Sequence, residues 1–346
     1  MHTPRKAAPL LGLSTLVMLG LTAALPRSAA AQVKITASIT GTAPSLAANQ
    51  DAMDALNFLA SDFQTNGTPT FAMTASIQWT DLGFSSGGYV LGGSFASDTF
   101  YQTHNGALVI NPLDRYLNGA ASTVNTDPGY ADFTIELNSN PNVPWDYTLG
   151  VPSDGNNISL ASVLYHESIH SMGFGAFNNA DGSYAFGSNG GNGPLTPTLW
   201  DTDLYDGTTQ QAFTADTQAQ RAAVMVSGDG NGDNGQLFFI GAKAEAANGG
   251  QPVAMYAPSI FEPGSSDGSH IAFNQAGASL LYPAFSNGVY LTPSPLELAM
   301  MQDIGWHTVG APVPEASSSI SLSILLALGL GGVVVARKRK AAGKPV

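Results

Sequence analysis

The chain of 346 residues has no cysteine, only 12 lysines and arginines, and a charged fraction of 11%. Without cysteine there is no disulfide staple, no thiolate metal ligand, no cysteine nucleophile and no cysteine-based latency device. A chain of this length buries an adequate core without staples. Positive charge is scarcest in the middle. Between Gln32 and Pro312 the basic residues are Lys34, Arg115, Arg221 and Lys243, while all 25 acidic residues except Glu315 fall in that stretch. Such a surface repels nucleic acid and anionic membrane and favours cations, Ca²⁺ included. Glycine is plentiful at 39 residues, and together with Asn, Ser, Thr and scattered aromatics it suits a loop-rich extracellular protein.

Both ends read as export signals. Arg5 and Lys6, the apolar run Leu10 to Leu25 and the small residues Ala29-Ala30-Ala31 form a secretory signal peptide over 1–31, cleaved before Gln32. Near the other end, the apolar run from Ile320 to Ala336 is at the lower limit for spanning a bilayer. The basic cluster Arg337-Lys338-Arg339-Lys340 follows at once, and Val313-Pro314-Glu315-Ala316 with a serine run precedes it. This order resembles the PEP-CTERM sorting signal of Gram-negative bacteria, with Ala316 at the third motif position. The resemblance implies handling by signal peptidase and an exosortase. It places the protein at the cell surface or outside the cell, anchored transiently or permanently by 320–336. An ordinary C-terminal anchor is the alternative.

The chemistry-bearing stretch is His166-Glu167-Ser168-Ile169-His170, followed by Gly173-Phe174. On a helix His166 and His170 project from one face and can hold one divalent ion. Glu167 is then beside the first ligand, within reach of a metal-bound water. Leu160, Val163, Leu164 and Ile169 supply an apolar side, Asn157 or Ser159 a candidate N-cap, and Gly173 and Gly175 an exit.

A catalytic zinc normally takes three protein ligands. The compact spacing would put the third histidine where Ala176 stands, so it comes from elsewhere. His270, in a Gly- and Ser-rich loop, is favoured by its context. His307 follows an apparent closing helix and reads as a surface histidine. Glu262, Asp181, Asp201 and Asp203 are the carboxylate alternatives, Glu262 first among them. Asp229, Asn231 and Asp233 alternate oxygen ligands as a Ca²⁺ loop does, without the glycine and glutamate of an EF-hand. An acidic Gly-rich turn is the plainer reading of that loop, and both stay open.

Around the motif, helical spacing over Ala47 to Phe63 offers Met53, Leu56, Phe58 and Leu59 for burial. Thr70 to Trp79 and Ala131 to Asn138 alternate as strands, Gly88 to Phe95 forms a weaker one, and Ala107 to Tyr116 is of undecided type. From 176 to about 252 the chain reads as a long loop-rich insertion containing a short helix over Asp216 to Met225 and a strand over Leu237 to Ile240. A helix over Pro295 to Ile304 closes the domain.

The segment Val253 to His270, with Leu280-Leu281-Tyr282-Pro283 and Ser294 to Trp306, resembles bacterial secreted metalloproteases of the leishmanolysin-like, metzincin-like kind. In those proteins an insertion separates His-Glu-x-x-His-x-x-Gly-Phe from the third histidine. The resemblance implies an α+β zincin-type catalytic domain over 32–311, with a mixed sheet, an active-site helix and the insertion at about 176–252. It implies one catalytic Zn²⁺ on His166, His170 and His270, Glu167 as general base, and a protein or peptide substrate. Leu281 stands at the position of that family's methionine beneath the metal. Tyr282 could stabilise an oxyanion by analogy with other zinc proteases, but a packed tyrosine is the simpler reading. The rival reading is a non-catalytic exported surface or matrix protein whose metal site is vestigial or structural.

Overall fold

A computed structural model of the chain describes residues 32–309 apart from 66–69, 86–87, 97–101, 119–130, 151–153, 188–192, 262–266 and 276–278. The signal peptide, the sorting motif, the 320–336 run, the basic tail and Glu262 lie outside the described residues.

The described architecture is mixed α/β, with six α-helices. It begins with β1 (Val33–Gly41), α1 (Leu46–Ser61) and β2 (Phe71–Thr80), then β3 (Phe84–Ser85), β4 (Gly88–Tyr89), β5 (Gly92–Ala96), β6 (Gln102–His104), β7 (Ala107–Val109) and α2 (Leu113–Asn118). Next come β8 (Phe133–Asn138), β9 (Trp145–Asp146), β10 (Ile158–Ser159) and α3 (Leu160–Ser171), which carries the motif. The remainder holds β11 (Leu204–Asp206), β12 (Gln211–Ala212), α4 (Gln218–Met225), β13 (Leu237–Phe239), α5 (Ala242–Ala247), β14 (Val253–Ala254) and α6 (Pro295–Asp303).

The main sheet has the order β1-β2-β8-β5. β1, β2 and β8 run parallel, in registers Val33↔Phe71 and Ala75↔Phe133, and β5 runs antiparallel to β8 at the edge. Parallel neighbours need a crossover, and α1 supplies it between β1 and β2. β2 alternates as its sequence does, burying Met73, Ala75, Ile77 and Trp79. β8 has buried positions on both faces, because α3 packs across the sheet.

Two local expectations change. The apolar residues that α1 buries are Ala48, Ala52, Ala55, Leu56, Leu59 and Ala60, whereas Met53 is half-buried and Phe58 is 43% exposed, with its ring 5.7 Å from that of Tyr165 on α3. The insertion is also more regular than its composition suggests. It contributes strands to an antiparallel sheet of order β12-β11-β13-β14, whose Phe239 meets Trp200 at 4.6 Å between centroids. β1 has no counterpart among the expected elements. Its Val33, Ile35, Ala37 and Ile39 nevertheless alternate with the exposed Lys34, Thr36, Ser38 and Thr40, as a strand with one face toward the core does.

Asp51 lies on the buried side of α1, and one of its carboxylate oxygens has no hydrogen-bond partner. Burial, with repulsion from Asp146 and Asp54, pushes its pKa from 3.8 up to about 6. The folded state therefore holds this proton more tightly than the unfolded chain does. The associated stability is lost as pH rises from 3.8 through about 6. Asp51→Asn is expected to stabilise the protein by about 1 kcal/mol at neutral pH, with the gain shrinking toward pH 4. Denaturant midpoints at the two pH values test this, and a gain independent of pH would contradict it.

Candidate metal centre

α3 is buried on nearly every side, as a helix at the centre of a domain must be. Ser159 is its N-cap, accepting from the Ser162 amide at 3.2 Å, so Asn157 is not the cap. The exit is a Schellman turn. The Gly173 amide donates to His170 O at 3.0 Å and the Phe174 amide to Ile169 O at 3.2 Å, with Gly173 at φ +111°. Phe174 then anchors the turn against Trp200, 4.2 Å away between ring centroids.

His166, His170 and His270 converge. Their Nε2 atoms form a nearly equilateral triangle with sides of 3.1, 3.2 and 3.2 Å. Among the described residues this is the one group of three or more histidines or acids close enough to share an ion.

The donor chemistry fits a metal. His166 Nδ1 lies 2.9 Å from Leu280 O, and His170 Nδ1 lies 2.7 Å from Phe174 O. A carbonyl oxygen only accepts, so each Nδ1 carries the proton and each Nε2 presents a lone pair. Two lone pairs therefore face each other at 3.1 Å with no proton to share. Burial lowers both imidazoles, His166 to about 3 and His170 to about 4, with His170 adding repulsion on His166. A proton is thus disfavoured as the bridging charge. Ligands about 2.0–2.1 Å from a tetrahedral centre stand about 3.3 Å apart, close to the triangle observed.

The carbonyl that fixes His166 is itself fixed. Glu297, fully buried, accepts from the Leu281 amide at 3.0 Å, from the Ser279 hydroxyl at 2.6 Å and from the Ser294 amide at 2.6 Å. It is also the third residue of α6, closing the capping box that Ser294 opens. Leu281 is fully buried, and its carbonyl accepts from the Ile271 amide at 2.8 Å, tying the 279–281 turn to the residue after His270. This is the usual pattern in which outer partners set a ligand's tautomer and direction.

Glu167 faces the edge of the main sheet. A Cβ added at Gly92 of β5 would lie 3.2 Å from Glu167 Oε1, so glycine leaves room for this carboxylate. Burial pushes Glu167 up to about 7. The Ser94 hydroxyl on the same strand works against that shift, although the pair falls short of a full hydrogen bond. On the other side, Phe285 stands edge-on to the His166 ring at 5.2 Å. Gly92, Ser94, Leu280, Phe285 and Glu297 are absent from the sequence-based site. Of these only Glu297 carried a signal, the Ser294-x-x-Glu297 spacing.

The alternative ligands lie elsewhere in the fold. Asp181 is exposed and accepts from Ser183 and Gln218. Asp201 is buried and accepts from Thr198 and Asn178, and Asp203 lies beside Asp303. His307 departs from its expected surface position. It is half-buried against Tyr116, ring centroids 6.1 Å apart, because the chain after α6 folds back over α2. Tyr282 is the packed tyrosine of the simpler reading, donating to Gln275 O at 3.0 Å. In the acidic loop, Asp229 accepts from the amides of Asn231 and Asp233 and from the Asn234 side chain, and Asp233 accepts from the Asn274 amide. Those bonds make a closed Asx-type turn.

No family model, no curated protein and no solved structure matches this chain.

Proposed function

We propose that the protein is an exported zinc-dependent endopeptidase with a zincin-type catalytic domain, whose metal is held by His166, His170 and His270. The observation that carries this reading is the triangle of three imidazole nitrogens with sides of 3.1 to 3.2 Å, with the buried Glu167 next to the first of them on α3. A Zn²⁺ bound there would supply a polarised scissile carbonyl and a water acidified to a pKa of about 7.

The chain's own residues supply the rest. Glu167 takes the water's proton during attack and returns it to the departing amine, and a carboxylate with a pKa near neutrality suits both roles. Among the described residues β5 pairs in the main sheet with β8 alone, and its Gly92 lies against Glu167. An extended peptide pairing with that edge would run past the general base, which makes backbone pairing the natural mode of substrate binding. A structural metal site has no use for a base beside its first ligand, which favours this reading over a non-catalytic surface or matrix protein. Zinc, and not Ca²⁺, fits a site whose donors are three imidazole nitrogens.

The test is casein hydrolysis by the purified exported protein, with and without a chelator. The expected result is cleavage that the chelator abolishes and Zn²⁺ restores. Bound zinc with no hydrolysis of any protein would contradict the enzyme and favour the matrix protein.

A further inference from the structure

We propose that Ser269 is a positioning residue that seats the third histidine, by docking its side chain on the backbone of Ala176. The inference rests on the three-histidine metal site and goes beyond it to how a ligand from a distant loop is delivered.

Ser269 immediately precedes His270 and is 8% exposed. Its hydroxyl accepts from the Ala176 amide at 3.0 Å and donates to the Ala176 carbonyl at 3.0 Å. One side chain thereby satisfies both backbone groups of one residue. Ala176 is the position where a compact site would carry its third histidine, six residues after His170. The same turn supplies Phe174 O to His170 Nδ1, so the second and third ligands are referenced to one short segment.

The surroundings leave room for this dock and little more. Gly175 has φ +159°, and a Cβ there would lie 3.3 Å from Ser269 Oγ and 3.8 Å from His170 Nδ1. Gly268 has φ +70°, and a Cβ there would lie 3.3 Å from Ala176 Cβ. The loop's other anchors run to different elements: Gly268 O accepts from Trp200 Nε1 at 3.1 Å, and His270 O accepts from the Tyr256 amide at 2.8 Å. Those bonds hold the loop to the insertion and to the segment that follows β14. The Ser269 bonds hold it to the exit of α3, where the other two ligands are. The consequence is a preformed triangle whose third corner is fixed before any ion arrives.

Metal affinity, and not activity, reads this out. In the full exported protein, Zn²⁺ affinity by competition with a chromophoric chelator is expected to fall about 10- to 100-fold for Ser269→Ala. The metal-free denaturation midpoint should stay close to wild type, because Ala176 is half-buried and water can replace the hydroxyl. The Co²⁺-substituted variant should show an altered ligand-field spectrum, which a merely structural role would not produce. Independently of any variant, the Ala176 amide of the metal-free wild-type protein should be protected from hydrogen exchange. Equal affinity and identical Co²⁺ spectra in wild type and Ser269→Ala would overturn the inference and leave the metal site standing. A freely exchanging Ala176 amide would overturn it as well. A wild-type protein that takes up no metal would remove both.

Discussion

Replacing Glu167 with Gln is expected to leave metal content unchanged and to cut peptide hydrolysis by on the order of 10²–10⁴-fold. The amide matches the carboxylate in shape and fits the space that Gly92 leaves open, so the neighbouring ligands keep their places. What disappears is the ability to take a proton and give it back. α3 places Glu167 one residue from His166 within a buried helix, which fixes where that proton can be taken and returned. The measurement is zinc content together with kcat on a peptide substrate. Full activity in a zinc-loaded Glu167→Gln protein would refute the role. Loss of zinc alongside activity would mean that Glu167 supports the site instead of acting in it.

The second large effect is on stability. Two imidazole lone pairs held 3.1 Å apart in a buried site repel each other in the metal-free protein. A metal that binds only the folded state stabilises it by about 4 kcal/mol when free metal is 1,000-fold above Kd. At roughly 2–4 °C per kcal/mol for a domain of this size, added Zn²⁺ should raise Tm by about 10 °C. His270→Ala removes one corner of the triangle and should abolish most of that rise. His307→Ala should retain it, whatever it does to the packing against Tyr116. Thermal scans of the three proteins with and without Zn²⁺ decide the matter. A metal-dependent rise that survives His270→Ala would return the third ligand to the carboxylates.

The heart of the site was legible in the sequence because its chemistry is local. His166, Glu167 and His170 need only a helical period to share a face, and Gly173 marks the turn that ends the helix. His270 was reachable by elimination, loop context and resemblance, since nothing in the sequence states how the chain folds across the 100 positions that separate it from His170. The strands around Ala75 and Ile135 announced themselves by alternation, and β1 carries the same period in Val33, Ile35, Ala37 and Ile39 although no strand was expected there. The supporting residues were hidden for a different reason. Gly92 matters through the Cβ it lacks, and Leu280 through a backbone carbonyl, and neither property depends on a pattern along the chain. Glu297 showed as a helix cap, but its second task, holding the turn that holds His166, exists only in three dimensions.

X-ray absorption at the zinc edge of the purified protein tests the central claim most directly. The account predicts one zinc per chain, with three imidazole nitrogens and one oxygen at about 2.0–2.1 Å, and loss of one imidazole in His270→Ala. No bound transition metal, or a first shell with fewer than three imidazoles in the wild-type protein, would contradict it.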